Sequence, residues 1–242
     1  MNSLKTDNFF KEDAAAQAES KEALARQLAD LISQEPTDEL RETFAKAQKL
    51  IACYRCALLE VETKFRVLNE EFSLQHERNP IENIKTRLKS PNSIREKMIR
   101  KGIPLSLTSM EENLNDIAGI RVICSFLNDI YMLAECLLQQ DDVILLERKD
   151  YIEHPKPNGY RSLHLIVQIP IFLQNEKKNM RVEVQLRTIA MEFWANLEHR
   201  LRYKKNLDES LVQQTAAELT QCAEISAMLD DKMQRIRNII EG

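Results

Sequence analysis

The sequence predicts an α+β protein with one mixed five-stranded sheet flanked by helices, and with long helices at the N- and C-terminal ends. Two observations carry this prediction. Between residues 84 and 187, five short segments either alternate apolar and polar residues or are continuously apolar, as strands do. Outside this region, long stretches repeat apolar residues in steps of three and four, which is the spacing of a one-sided helix. Helices and strands segregated around one sheet define the α+β class.

The composition is that of a water-soluble globular protein without a broad nucleic-acid-binding surface. Of the 242 residues, 43% are hydrophobic and 30% are charged, and the formal net charge is −4. General duplex binding needs an extended basic surface, so any anion site here must be a local concentration of cations. No apolar run approaches the roughly 20 residues that span a bilayer, and the N-terminus lacks the order of a signal peptide. We therefore expect a cytoplasmic protein without a membrane partner.

Long helical patterns occupy both ends of the chain. Residues 11–33 predict a helix, and a heptad seam then follows: Leu40, Phe44, Ala47, Ile51, Tyr54, Leu58, Val61, Phe65, Leu68 and Phe72. A second seam, interrupted by Ser226, begins after residue 211: Leu219, Cys222, Leu229, Met233, Ile236 and Ile240. Such seams can pack within the chain, against each other or between subunits. We expect three regions: an oligomerising helical region at 1–80, a central domain at 81–205 and a helix at 206–242.

The central region contains all five strand patterns. Strands are predicted at 84–89, 117–125, 142–148, 162–170 and 181–187. Helices are predicted between them and after them, at 93–101, 127–139 and 191–203.

Three of the predicted strands have one apolar face and one polar face. Successive side chains of a strand point to opposite sides of the sheet, so apolar faces packed on helices leave the polar faces open. The polar faces carry Lys85, Arg87 and Lys89, then Ser162 and His164, and then Glu183, Gln185 and Arg187. These side chains could simply face solvent. Two features favour a site: the set is mostly cationic, and Asp116 stands just before a buried strand, where a charge needs a partner or a metal.

Asp116 and Glu183, surrounded by lysines and arginines, have the composition of a magnesium–nucleotide site. Mg²⁺ is usually held by one or two carboxylates together with phosphate oxygens, and Lys and Arg neutralise the phosphate charge. The chain has no GxxxxGK[ST] or GxGxxG motif, which excludes the P-loop and the glycine-rich cradle of kinases. Its four histidines are scattered without the spacing of zinc ligands.

Residues 149–164, with the sequence KDYIEHPKPNGYRSLH, combine groups that bind phosphates and bases. The segment holds two lysines, an arginine, two histidines and two tyrosines around a Pro-Asn-Gly turn. Cations pair with phosphates, and aromatic rings stack on bases. The segment then leads directly into a β-branched, apolar strand pattern, so we expect a binding loop anchored on the sheet.

Four ordered segments match a known family: RLKSPNSIREK at 87–97, NDIAGIRVI at 115–123, the loop at 149–164, and VEVQLRTIAMEFWANLEH at 182–199. In these residues the chain resembles the (p)ppGpp synthetase domain of the RelA/SpoT group, and specifically the stand-alone small alarmone synthetases. The resemblance implies a nucleotidyltransferase-like synthetase domain over 81–205. It also implies that the 3′-hydroxyl of GDP or GTP attacks the β-phosphorus of ATP and expels AMP, giving ppGpp or pppGpp in the stringent response.

The resemblance implies a donor site and a metal site. The residues expected to bind ATP are Arg87, Lys89, Ser93, Lys97 and Arg121. The two arginines would flank adenine with their planar guanidinium groups, and the other three would hold the phosphates. Asp116 would coordinate Mg²⁺. Glu183 would either complete the magnesium site or take the proton of the attacking hydroxyl, and the sequence leaves both roles open.

The resemblance also implies an acceptor site. The residues expected to bind GDP or GTP are Lys149, Lys156, Asn158, Tyr160, His164 and Gln185. Tyr160 would stack on the guanine ring, and Arg187 would support the site from the same face as Gln185. Lys85 has no role in the resemblance and is expected to face solvent.

Two other functions are compatible with the residues: a toxic relative that pyrophosphorylates the 3′ end of tRNA, and a non-catalytic module that binds nucleotide or RNA. The acidic net charge disfavours the first, and the paired carboxylates disfavour the second. No histidine precedes His76, so the hydrolase site of long family members is not expected. The resemblance further implies a homotetramer built through the terminal helices. Some members bind (p)ppGpp allosterically and some are inhibited by single-stranded RNA, and the sequence decides neither.

Overall fold

A mixed sheet of five strands organises the computed structural model, which describes residues 38–76, 78–203 and 209–241. The predicted α+β class, the five strands and the long terminal helices are confirmed. The strands are β1 (Ile81–Leu88), β2 (Ala118–Cys124), β3 (Ile144–Asp150), β4 (Leu163–Phe172) and β5 (Lys177–Thr188). The helices are α1 (Asp38–His76), α2 (Pro91–Arg100), α3 (Leu107–Asn113), α4 (Leu127–Leu138), α5 (Ile189–Tyr203) and α6 (Glu209–Glu241).

The chain divides into two compact units, residues 1–49 and residues 50–242, with the division inside α1. In the first unit the structure describes only residues 38–49, which are helical. The predicted helix at 11–33 lies outside the described residues. The expected division into regions at 80 and 205 stays a prediction.

The strand order is β1-β2-β5-β4-β3. β2 and β5 run parallel, while the other three neighbouring pairs are antiparallel. Because the last strand in sequence lies between β2 and β4, it occupies the centre of the sheet. The segment that carries Glu183 therefore lies beside the segment that follows Asp116.

The apolar face of the sheet is covered by α1 and α4. From residue 50 onward, α1 contributes the buried side chains of Tyr54, Leu58, Val61, Phe65 and Leu68. They join one apolar core with side chains of α4 and of the sheet, among them Ile130, Leu133, Leu137, Leu165, Val182 and Val184. Burying a large apolar side chain stabilises a fold by roughly 1.5–3 kcal/mol. These five residues of the first heptad seam therefore pack within the chain.

Polar contacts hold helix α6 against the rest of the second unit. The Asp230 carboxylate accepts a hydrogen bond of 2.9 Å from the Thr188 hydroxyl at the end of β5. Arg237 donates one of 2.9 Å to Asp129, a fully buried carboxylate in the first turn of α4. These contacts fix the side of α6 that faces the end of β5 and the start of α4.

The apolar seam of α6 faces outward. Leu229 is 53% exposed, Met233 46%, Ile236 48% and Ile240 77%. The second seam therefore does not join the core as the first one does. Although α1 and α6 are long, none of the helices that the structure describes is long and apolar enough to cross a membrane.

Helix α3 was not predicted. It has seven residues and begins after Ser106, whose side chain accepts a hydrogen bond from the Ser109 amide. A helix of two turns is too short to show a 3.6-residue apolar period. Only its capping serine could have indicated it from the sequence.

Candidate functional site

One row of polar side chains crosses all five strands. Lys85 of β1 stands opposite Arg121 of β2, which stands opposite Gln185 of β5. Gln185 is paired with His164 of β4, and His164 with Lys149 of β3. Residues that are paired across neighbouring strands share a face of the sheet. The register thus collects on one face five side chains that are far apart in the sequence.

The Asp116 carboxylate lies next to this face, just before β2, between two lysines. Its Oδ2 atom is 2.5 Å from Lys89 Nζ and 2.6 Å from Lys97 Nζ. Burial alone would raise the pKa of Asp116, but the hydrogen bonds and charges of the two lysines outweigh it and lower the pKa. The other oxygen, Oδ1, is buried and has no hydrogen-bond partner among the described residues. An ionised carboxylate with one unused buried oxygen is suited to bind a cation.

Glu183 is the second carboxylate of this face. Its Oε1 atom is 3.4 Å from His164 Nδ1, and its Oε2 atom accepts a hydrogen bond of 3.1 Å from the Gln185 amide. Burial would raise the pKa of Glu183, but the contacts with His164 and Gln185 prevail and the pKa is lowered. A carboxylate with a lowered pKa is a weak base and a good ligand. Its register partner on β2 is Gly119, which brings no side chain between Glu183 and the first two strands.

A cavity of about 570 Å³ opens over the β1–β2–β5 part of the face. Its lining is mostly polar and cationic: Lys85, Thr86, Arg87, Lys89, Asp116, Gly119, Ile120, Arg121, Glu183 and Gln185. It brings together both candidate metal ligands and the residues Arg87, Lys89 and Arg121 that were predicted for ATP. A cleft of this size and charge accommodates a phosphorylated ligand of nucleotide dimensions.

The other two residues predicted for ATP lie on α2. Ser90 caps this helix by accepting a hydrogen bond from the Ser93 amide, and Pro91 opens its first turn. Ser93 therefore sits at the helix N-terminus, where backbone amides favour anions. One face of α2 is anchored by the buried Ile94 and Met98, and Lys97 reaches Asp116 from the same helix.

Three of the residues predicted for the acceptor nucleotide, Lys156, Tyr160 and His164, lie together, and His164 is the register partner of Gln185 in the cavity lining. The Tyr160 hydroxyl is 2.8 Å from His164 Nε2, and it accepts a short hydrogen bond from Arg187. The Lys156 ammonium lies 4.8 Å from the centroid of the Tyr160 ring and 4.5 Å from that of Tyr151. A cation over an aromatic face is stabilised by the ring quadrupole. The loop is thus ordered around its aromatic residues.

Two predicted acceptor residues point elsewhere. Lys149 lies beside His164 in the sheet, but its ammonium pairs at 2.8 Å with Glu147 on the same edge strand. The Asn158 amide donates to Glu198 of α5 at 3.3 Å. Neither side chain lines the cavity, so a nucleotide would have to recruit both by exchanging these surface contacts.

Gly159 makes the tight turn of this loop possible. Its φ of +84° belongs to the left-handed region, which L side chains rarely adopt. A Cβ atom added here would stand 2.4 Å from the Cβ atom of Ala223 on α6. The acceptor loop is therefore pressed against the C-terminal helix at a point where only glycine fits.

Replacing Gly159 with alanine is expected to destabilise the fold and, if the loop binds GDP or GTP as the resemblance implies, to weaken that binding. The positive φ alone costs roughly 1–2 kcal/mol, and the overlap with Ala223 must displace the loop or the helix. Thermal unfolding and the KM for GTP would measure the two effects. Gly102→Ala is the matched control, because its φ is +67° but nothing lies within 4 Å of the added Cβ. The double change Gly159→Ala with Ala223→Gly should recover the steric part of the loss. A KM and melting temperature no worse than those of the Gly102 variant would contradict the tight contact.

Glu192 was not singled out in the sequence. It lies in the first turn of α5 and is 6% exposed. Burial would raise its pKa, but hydrogen bonds from Lys85 and Asn196 and the charges of Arg121 and Arg187 lower it to about 2. The signal missing from the sequence is the strand order, because three of the four partners belong to three different strands. Lys85, expected only to face solvent, is half exposed but lines the cavity and pairs with this carboxylate at 3.0 Å.

The fold and the cavity together define the class: an α+β protein whose mixed sheet presents two carboxylates and several cations to a cleft for phosphorylated ligands. Comparison with known families then gives the particular assignment. Residues 86–208 match the family described as the region found in RelA/SpoT proteins, and the chain belongs to this family.

Relatives with assigned functions cover most of the chain. The GTP pyrophosphokinase YwaC of Bacillus subtilis is 44% identical over 204 residues, which are 84% of this chain and 96% of the relative. Among solved structures, small alarmone synthetase 1 of Bacillus subtilis bound to its product pppGpp superposes with a TM-score of 0.73. That match has 34% identity and covers 82% of this chain and all of the other. The same enzyme bound to AMPCPP matches with a TM-score of 0.67 and 31% identity, covering 81% of this chain and 98% of that one.

Proposed function

We propose that this chain is a GTP pyrophosphokinase that transfers the β,γ-pyrophosphate of ATP to the 3′-hydroxyl of GDP or GTP. The 3′-oxygen bonds to the β-phosphorus of ATP, the bond from that phosphorus to the α–β bridging oxygen breaks, and AMP leaves. The hydroxyl proton is lost, and the products are AMP and ppGpp or pppGpp. The observation that carries the proposal is the cavity that gathers Asp116, Glu183 and three cations predicted for ATP in a chain 44% identical to a GTP pyrophosphokinase.

The donor half of the proposed site is the cavity together with Ser93 and Lys97 of α2. Arg87 and Arg121 would flank adenine, while Lys89, Ser93 and Lys97 would hold the phosphates. The two lysines now neutralise Asp116. A triphosphate beside them would share these ammonium groups with Asp116. The ammonium groups would then offset the negative charge that shifts to the leaving AMP.

The acceptor half is the loop around Tyr160. Lys149, Lys156, Asn158 and His164 would contact the phosphates and ribose, and Gln185 would contact the nucleotide from β5. For guanine to stack on Tyr160, the Lys156 ammonium would have to leave the ring, where it now lies 4.8 Å from the centroid. An ammonium released in this way is free to pair with a phosphate of the same ligand.

Asp116 and Glu183 fit a magnesium ion. Oδ1 of Asp116 is buried without a hydrogen-bond partner in the described part of the chain, and both carboxyl groups have lowered pKa values, so both are ionised at neutral pH. Within the described ranges, no cluster of three or more His, Cys, Asp or Glu side chains could hold a metal alone. Two carboxylates completed by phosphate oxygens are a usual magnesium environment. Bound there, Mg²⁺ would screen the phosphate charge during transfer.

The terminal helices would join four copies of the chain. The outward seam of α6 exposes Leu229, Met233, Ile236 and Ile240, and apolar seams of this spacing pair helices. We place the assembly in the cytoplasm, where ATP and GTP are available. The tRNA-directed and non-catalytic alternatives are not favoured, because the curated relatives are GTP pyrophosphokinases.

A transfer assay tests the proposed reaction. Purified protein is incubated with γ-labelled ATP, Mg²⁺ and either GDP or GTP, and the products are separated. We expect labelled ppGpp or pppGpp and unlabelled AMP. Label on added tRNA but on neither guanine nucleotide would favour the tRNA-directed activity. Absence of transfer to any acceptor would contradict an enzymatic role.

Changing Tyr160 to alanine is expected to raise the KM for GTP about 5- to 150-fold, because stacking of one base is worth roughly 1–3 kcal/mol. The KM for ATP at saturating GTP should change little. Tyr160→Phe keeps the ring but removes the hydroxyl contacts with His164 and Arg187, so it separates stacking from hydrogen bonding. An unchanged KM for GTP in the alanine variant would rule out stacking by Tyr160.

A further inference from the structure

The buried Glu192 carboxylate connects four structural elements next to the cavity lining. Its Oε1 atom accepts hydrogen bonds from Lys85 at 3.0 Å, Arg121 at 3.0 Å and Asn196 at 2.9 Å. Its Oε2 atom accepts one from Arg187 at 3.0 Å. The donors come from β1, β2, α5 and β5. Oε1 thus contacts β1 and β2, whereas Oε2 contacts β5.

The contacts of Glu192 close into a ring. Arg121 Nη1 donates to Glu192, while Arg121 Nε donates to Gln185 Oε1 at 3.4 Å. Arg187 Nη2 donates to the same Gln185 oxygen at 3.0 Å, and its Nη1 atom returns to Glu192. The ring is therefore Glu192–Arg121–Gln185–Arg187. Every member has its polar atoms fixed by two others, so the orientation of one guanidinium constrains that of the other.

Each arginine of the ring serves a different nucleotide under the proposed function. Arg121 lines the donor cavity, whereas Arg187 donates to the Tyr160 hydroxyl of the acceptor loop. Glu192 itself does not line the cavity, but it accepts hydrogen bonds from Lys85 and Arg121, which do. It is also the only carboxylate among the described residues with which Arg187 forms an ion pair. Without it, a guanidinium whose side chain is 5% exposed would lose its countercharge.

We infer that Glu192 is a positioning residue that couples the donor and acceptor sites, so that each nucleotide binds more tightly when the other is present. The inference rests on the proposed function, because it assigns ATP to the Arg121 side and GDP or GTP to the Tyr160 side. The first nucleotide sets the orientation of one arginine and, through the shared carboxylate and Gln185, that of the other arginine. The second nucleotide then meets side chains whose conformational entropy is already reduced.

Calorimetric titration measures this coupling without turnover. AMPCPP and GDP are each titrated with Mg²⁺ into the full chain, alone and in the presence of a saturating amount of the other. For the unchanged protein we expect each Kd to fall about 5- to 20-fold when the partner nucleotide is bound, and by the same factor for both nucleotides. In Glu192→Gln that factor should approach one. Glu62→Gln is the control, because it removes a partly buried carboxylate that forms an ion pair with Arg66 one turn away and with no other described residue, and it should keep the full factor.

The design separates a positioning role from a structural one. A merely structural Glu192 would lower the melting temperature and leave the coupling factor unchanged in the folded variant, which would overturn the inference. Should Glu192→Gln fail to fold, Glu192→Asp carries the test, since it keeps the charge but is too short to reach Arg121 and Arg187 together. A factor near one in the unchanged protein, with both nucleotides bound, would overturn the coupling but leave the proposed function standing. Absence of binding by either nucleotide would instead overturn the proposed function, and the coupling with it.

Discussion

Asp116→Asn is expected to lower kcat for pyrophosphate transfer about a hundred- to a thousand-fold, the loss typical of removing one charge-stabilising group from an active site. The amide keeps the shape of the side chain but removes the charge that Lys89 and Lys97 now neutralise, and it replaces one oxygen by a donor. A metal held by Oδ1 would lose its charged ligand. Initial rates at saturating ATP and GTP, measured across a range of Mg²⁺ concentrations, check the result.

The control for this change is Asp142→Asn, which removes a half-exposed carboxylate paired with Lys64. It should leave the rate unchanged. Circular dichroism and sedimentation should show that the Asp116 variant keeps its fold and assembly. Turnover close to that of the unchanged protein in a folded Asp116 variant would exclude the magnesium role.

The difference in stability between the unchanged protein and the Asp116 variant should depend on pH. Because the folded-state pKa of Asp116 is lowered, the carboxylate stabilises the fold above its unfolded pKa of about 3.8. This contribution is lost as the pH falls below 3.8 through the lowered folded value. The difference in unfolding free energy between the unchanged protein and the variant should therefore be constant near neutral pH and shrink below about pH 4.

Glu183→Gln is expected to lower kcat about a hundred-fold or more at every pH between 5 and 9. The pKa of this carboxyl is lowered from 4.5, so it is ionised throughout that range and contributes no acidic limb to the pH–rate profile. The pH–rate profiles of the unchanged protein and the variant should therefore have the same shape, with kcat of the variant lower at every pH. Such a result favours Glu183 as a ligand over Glu183 as a titrating base.

A different result would assign the proton transfer to Glu183. If the unchanged protein shows an acidic limb between pH 5 and 7 that disappears in Glu183→Gln, the carboxyl titrates there and acts as a base. Glu112→Gln, which changes an exposed glutamate outside the cavity in the same way, serves as the control. Its rate and profile should match those of the unchanged protein.

Strand periodicity made much of the proposed site predictable. In β1, β4 and β5, alternation alone separates Arg87, His164 and Glu183 from the apolar residues beside them, because side chains of a strand alternate between faces. The family resemblance then implied which polar residues belong together, and Arg87, Lys89 and Arg121 do line one cavity with both carboxylates. Short elements were harder to predict: α3 spans seven residues and shows no period.

The two heptad seams show a different limit. Both have the same pattern, yet Val61 and Phe65 of α1 are fully buried while Leu229 and Ile240 of α6 are exposed. Periodicity reports that a helix has an apolar face, but the element that covers this face depends on the rest of the fold. The outcome was therefore open for each seam until the structure was known.

The sequence by itself determined the five strands, the polar face of three of them and the cationic and aromatic composition of the segment at 149–164, because these follow from local periodicity and chemistry. Only the tertiary structure decided that β5 lies between β2 and β4, since strand order depends on contacts between distant segments. That order places Arg121 beside Gln185 and brings Lys85, Arg121 and Arg187 to one buried glutamate. Glu192 has no distinguishing pattern in the sequence, because its role depends entirely on partners that the sheet assembles around it.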